Sequence, residues 1–132
     1  MTIQEFPLAW RWTQSSHAVL PPDVLVRIRP LSPIEAAQIH KNSSFPHSGA
    51  ADSCSAEDEA SVRIWLRRVQ PDLPARVLIG WSEDLAVETS WDIFTEYWSD
   101  FCYPSSDDVT IVPVAGSWRL IYHHYEQFEF VT

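Results

Sequence analysis

His123 and His124, followed closely by Glu126 and Glu129, place imidazole and carboxylate groups together, the donor types that hold zinc. Neighbouring residues on a strand point to opposite faces, so the two rings could not easily share one ion. The expectation is one histidine at the edge of the core and one at the surface, with no metal and no cofactor. Ser, His and Asp are all present, but the Gly-x-Ser-x-Gly elbow of a serine hydrolase is not. With Gly49, Gly80 and Gly116 as its only glycines, the chain also lacks a glycine-rich phosphate loop. Cys54 and Cys102 lie far apart and form neither a disulfide framework nor a thiol-enzyme motif. Cys102 belongs beside an apolar stripe as a small buried hydrophobe, and Cys54 belongs in a polar loop. These residues predict a protein without catalysis of its own; the alternative is a small enzyme using His123 or His124 with a nearby carboxylate.

The stronger chemical signal is negative charge. Between Thr89 and Val109, Asp92, Glu96 and Asp100 recur at i, i+4 and i+8, on a different helical face from Trp91, Phe94, Trp98, Phe101 and Cys102. Like charges at that spacing weaken a helix by a few tenths of a kcal/mol per pair, so an anionic face is being kept against its own repulsion. Asp107 and Asp108 follow a Pro-Ser-Ser turn, and Glu83 and Asp84 precede the segment. Together these seven carboxylates are the candidate partner-binding surface; the competing explanation is an ordinary solvated face. Arg63, Arg67 and Arg68 form a small basic cluster able to hold a phosphate or carboxylate, or simply to pair with Glu57 and Glu59.

Net charge is −9, from 18 acidic and 9 basic residues. That balance repels nucleic acid and anionic membrane, both polyanions, and favours a cationic protein partner or solubility alone. No apolar run approaches the roughly 20 residues needed to span a bilayer. MTIQEFPLAWRWT lacks the basic start and apolar core of a signal peptide, so the expected location is cytoplasmic.

Holding these groups requires a core, and 132 residues with 45% hydrophobic content and seven Trp supply one. Phe6, Leu8, Trp10 and Trp12 alternate and predict a first strand. Val24 to Arg29 predicts a second, with one helical turn as the alternative. Ser32-Pro33-Ile34-Glu35 is a capping-box start for a helix to about Lys41. Asn42 to Ser53, Ser-rich and without periodicity, reads as a mobile loop. Ser55 to Asp58 opens a helix to about Gln70, stopped by Pro71, with Val62, Trp65, Leu66 and Val69 inward and Glu59, Arg63 and Arg67 as an i, i+4 ladder. Arg76 to Trp81 reads as a central strand, and Ala86 to Glu88, after a turn, as a short strand or an extended lead into the third helix. Thr89 caps a third helix over Ser90 to Cys102. Val109 to Tyr122 forms a hairpin around Ala115-Gly116-Ser117, and Gln127 to Val131 extends it. The prediction is a single α+β domain over 1–132, an antiparallel sheet of five to six strands covered by about three helices.

The stretch GWSEDLAVETSWDIFTEYWSDFCYPSSDDVTIVP, followed by SWRLIYHHYEQFEF, resembles small cytoplasmic immunity proteins of bacterial polymorphic or contact-dependent toxin systems, in its aromatic spacing and its acidic, lone-domain character. The resemblance covers Trp81 to Phe130. It implies tight binding to a cognate toxin domain, such as a basic nuclease whose substrate cleft the carboxylates would occupy. No family site maps onto individual residues, so the seven carboxylates rest on charge alone. A structural or regulatory subunit assembled through the acidic helix is a further alternative.

Overall fold

The computed structural model describes residues 2–43 and 51–132. Among these residues, seven strands form one antiparallel sheet in the order β1-β4-β3-β5-β6-β7-β2. They are β1 (Arg29–Pro30), β2 (Ala51–Ser55), β3 (Arg76–Ser82), β4 (Leu85–Ser90), β5 (Val109–Pro113), β6 (Arg119–His123) and β7 (Gln127–Val131). The described residues also form the α-helical segments α1 (Trp10–Thr13), α2 (Pro22–Leu25), α3 (Pro33–Ser43), α4 (Glu59–Val69), α5 (Trp91–Glu96) and α6 (Trp98–Phe101). The class is α+β, with more strands and more, shorter helices than the sequence pattern predicts.

Strand alternation sorts the two faces of the sheet. Val77, Ile79, Val87, Ile111, Leu120, Tyr122, Phe128 and Phe130 join the main core, which the aromatic residues of α1, α4, α5 and α6 complete. Leu78 and Ala86, one residue out of phase, face the other way and pack with Leu31, Ala36 and Ile39. Helix α3 therefore lies on the opposite face, over β3 and β4.

Several elements form as expected and for the expected reason. The Ser32 hydroxyl accepts the Glu35 N–H at 3.2 Å, and the Glu35 carboxylate accepts the Ser32 N–H at 3.1 Å, a complete capping box. Val62, Trp65 and Leu66 are buried on α4, and β3 sits between β4 and β5. Gly116, with φ of +136°, makes the turn of the β5–β6 hairpin.

The N-terminal strand is not formed. Residues 3–5 are a 3-10 turn and α1 follows, because the segment closes on itself through N–H bonds three residues back, Ala9 to Phe6 and Trp12 to Ala9, each 3.0 Å. The buried apolar set is Phe6, Ala9 and Trp12, a period of three that overrides the period of two. Phe6 and Trp12 stack at 5.9 Å. In Val24 to Arg29 the helical turn prevails: Pro22 sits at the start of α2, and only Arg29–Pro30 pairs as strand. Of the expected loop from Asn42 to Ser53, residues 44–50 lie outside the described residues; α3 extends to Ser43, and Ala51 onward is strand, paired along β7 through Cys54 opposite Phe128. A polar edge strand needs only backbone partners, which no side-chain pattern announces. Because Ser55 belongs to β2, the cap of α4 is Asp58, which accepts the Ser61 N–H at 3.1 Å.

The expected continuous helix from Ser90 to Cys102 breaks at Tyr97 (φ −114°, ψ 25°). The Glu96 carbonyl takes an Arg63 guanidinium bond at 3.0 Å, which satisfies an acceptor at the break. Thr89 does not cap it; its hydroxyl donates to the Arg27 carbonyl at 2.8 Å. The N–H groups of Trp91 and Asp92 are met instead by the carbonyls of Ala75 and Leu73, each at 2.8 Å. The stripe holds across the break: Trp91, Phe94, Trp98, Phe101 and Cys102 are all buried.

Candidate functional site

The structure divides the seven predicted carboxylates into groups with different roles. Asp107 is not on the surface. It is 7% exposed and forms a two-pronged ion pair with Arg11 at 2.6 and 3.1 Å, also accepting the Tyr103 N–H at 2.9 Å. The Arg11 guanidinium carbon lies 4.0 Å from the centre of the Tyr103 ring and 5.3 Å from that of Trp10. Asp107 shares strand parity with the buried Val109 and Ile111, so the alternation that defines β5 already placed it inward. This residue belongs to the architecture and leaves the candidate surface.

Asp92 and Glu96 do reach solvent, as their helical phase predicts, but cations of the chain itself meet them. Asp92 pairs with Arg27 at 3.4 Å, and Glu96 with Arg67 at 3.0 Å and Arg63 at 3.7 Å. The basic cluster on α4 is accounted for in the same way, since Arg63 also meets Glu59 at 3.4 Å and Arg68 lies 3.7 Å from Asp52. Exposed pairs of this kind contribute about 0–1 kcal/mol each, so a competing cation could replace them at little expense.

Asp100 differs. It is half-buried on α6, and no described cation pairs with it. Burial raises its carboxyl pKa above the ordinary value, and the charge of Glu59 adds to the effect. Glu59 is held nearby, accepting the Ser99 hydroxyl at 2.8 Å, while its carbonyl accepts the Trp98 indole N–H at 3.1 Å. An acid whose pKa is raised in the fold binds its proton more tightly there than in the unfolded chain. It therefore adds stability as pH falls through the folded value and subtracts it at neutral pH. Asp100→Asn is expected to melt higher than the parent at pH 7, with the gap closing as acid protonates the parent. Equal melting temperatures at both ends would mean that burial does not strain the Asp100 carboxylate.

Glu83 and Asp84 sit in the β3–β4 turn, at the opposite end of β4 from Asp92, about 17 Å away along the strand. The Ser82 hydroxyl donates to Asp84 at 2.7 Å. Asp108 is exposed and accepts the His124 N–H, with the His124 ring Nδ1 also 3.0 Å away. It lines a cleft of about 210 Å³ between α3 and the end of β3, together with Gly80, Ser82 and Thr110. The predicted acidic surface is thus two groups: Asp92, Glu96 and Asp100 with Glu59 over the helices, and Glu83, Asp84 and Asp108 at the strand end. The cleft has no motif of its own in the sequence; its one local signal is the glycine inside the apolar run RVLIGW.

The two histidines both touch the Tyr125 ring, His124 edge-on at 5.5 Å, but they face different polar surroundings. His123 ends β6 and stacks on Tyr125 at 5.1 Å, whereas His124 turns to Asp108. Among the described residues no three His, Cys, Asp or Glu side chains are grouped to hold a metal ion. Cys102 is buried, which pushes its thiol pKa well up, away from nucleophilic use at neutral pH. Cys54 is half-buried in β2, not in a loop, and burial raises its pKa as well. Among the described residues no helix is long and apolar enough to cross a membrane.

No protein-family model matches this chain, and neither a curated protein nor a solved structure matches it.

Proposed function

We propose that this protein is a non-catalytic binding protein, an immunity protein of the cytoplasm that neutralises a cognate cationic toxin domain. The observation that carries the reading is Asp100: a half-buried carboxylate beside Glu59, with no described cation against it. Charge kept at that disadvantage is relieved by a basic side chain from outside. Glu96 and Asp92 extend the same surface, and the half-exposed Tyr103 and Trp10 beside it, 6.0 Å apart, offer the aromatic contact that often anchors an interface. A nuclease, whose substrate cleft is cationic, is the partner chemistry that fits best.

The test is binding kinetics against a toxin domain that copurifies with the protein, at two salt concentrations. Glu59→Lys with Asp100→Lys is expected to slow association, and added salt to slow it for the parent, because exposed charges are screened over about 8–10 Å near physiological ionic strength. Association that ignores both the reversal and the salt would defeat this reading.

One observation favours a second reading. His124 forms a hydrogen-bonded imidazole–carboxylate pair with Asp108, which lines the cleft, the arrangement that orients a general base. A small enzyme built on that pair would lose its turnover in His124→Gln, while a binding protein would keep its affinity.

A further inference from the structure

The cleft lies on the α3 face of the sheet, away from the helices that carry Asp100. Gly80 and Thr110, paired across β3 and β5, form its floor, and Ala36 and Ile39 of α3 form an apolar wall. His40 closes the rim from α3. Two groups supply polarity at the strand end. The Ser82 hydroxyl spends its hydrogen on Asp84 and so presents lone pairs. Asp108 presents a carboxylate. The His124 backbone N–H, and then its ring, hold the Asp108 carboxyl below the usual range, so it is an anion at neutral pH. Both are acceptors, which favours a ligand that donates hydrogen bonds to them.

Size narrows the choice. Pockets for drug-sized ligands run to about 300–1,000 Å³, and this cleft, at about 210 Å³, lies below that range. That suits one long side chain, not a nucleotide or a larger cofactor. A stem of methylenes matches the Ala36–Ile39 wall, and a cationic head matches Asp108.

We propose that this cleft receives the guanidinium end of one arginine side chain from a protein partner, its stem lying on Ala36 and Ile39 and its head on Asp108 and Ser82. The source of that side chain rests on the binding-protein reading; the chemistry of the cleft does not, and it can be tested without any partner.

The probe is N-acetyl-arginine methylamide titrated into isotopically labelled protein, with the citrulline analogue as a neutral isostere. The arginine compound is expected to shift the amide resonances of Gly80, Asp108 and Thr110, with the citrulline compound about tenfold weaker or more. A Cβ at Gly80 would meet only the Thr110 carbonyl oxygen, at 3.9 Å, so Gly80→Val should fold while filling the floor. Loss of the shifts in Gly80→Val and Asp108→Asn, with cooperative melts retained, supports the site; the Asn variant serves if the Val variant fails to fold. Glu59→Lys with Asp100→Lys should leave the shifts intact, which separates this site from the helical surface. Equal shifts with citrulline, or shifts that survive both cleft variants, overturn the proposal.

Discussion

Asp107→Ala is expected to destabilise the protein by about 3–5 kcal/mol, because it strands the buried guanidinium of Arg11 without its counter-charge. Arg11 is 5% exposed, and its Nε already has no hydrogen-bond partner. The same change also frees the Tyr103 N–H and the turn that Asp107 ties together. Replacing both members, Arg11→Met with Asp107→Asn, removes the charge and keeps an acceptor for Tyr103. That double variant is expected to be more stable than Asp107→Ala, since breaking a buried pair does more harm than replacing it whole. Urea unfolding of the three proteins decides the matter. A loss below 1 kcal/mol for Asp107→Ala would mean that water reaches Arg11 and the pair is not buried in solution.

Trp98→Ala is expected to lose about 3–5 kcal/mol, the range for emptying a buried aromatic site. Trp98 is 4% exposed, packs edge-on against Phe128 at 5.5 Å, and donates its indole N–H to the Glu59 carbonyl on α4. One side chain therefore joins α6, α4 and β7. Its removal should also loosen Glu59, and so weaken the partner surface beyond the loss of stability. Trp98→Phe keeps most of the volume and drops the hydrogen bond, so it should fall between parent and alanine. Urea midpoints for both variants provide the measurement. A midpoint for Trp98→Ala within error of the parent would place the residue outside the core.

What could be read in the sequence follows the range of the interactions involved. The capping box at Ser32 and Glu35, the inward stripe of α4 and the hairpin around Gly116 are set by residues within a few positions, and all three appear. The stripe from Trp91 to Cys102 was also legible, because helical phase survives the break at Tyr97. The break itself depends on packing between α4 and α5 and is accompanied by Arg63, 33 positions from Glu96. The pairing of β2 with β7 is equally remote. At the N-terminus two periodicities competed, and the local turns at Phe6 and Ala9 prevailed. The candidate site shows the same limit: the phase of Asp92, Glu96 and Asp100 brought them to or near the surface, but nothing local revealed that Arg27, Arg63 and Arg67 would meet two of them and leave Asp100 without a described cation. Asp107 is the instructive miss, since counting alternate residues back from Ile111 would have turned it inward.

The edges of the sheet carry a further consequence. Strand β1 has only two residues and ends in Pro30, which has no N–H to offer. Strand β2 is five residues of small and polar side chains, among them Asp52, whose charge opposes stacking of a second copy. Neither margin invites another chain to add a strand, so self-association into extended fibres is discouraged at both ends. Recognition by backbone pairing, the route by which many extended peptides dock, is discouraged with it. A partner is left to find side chains on the helices and turns, where a few substitutions can retune which partner is accepted without disturbing the sheet beneath.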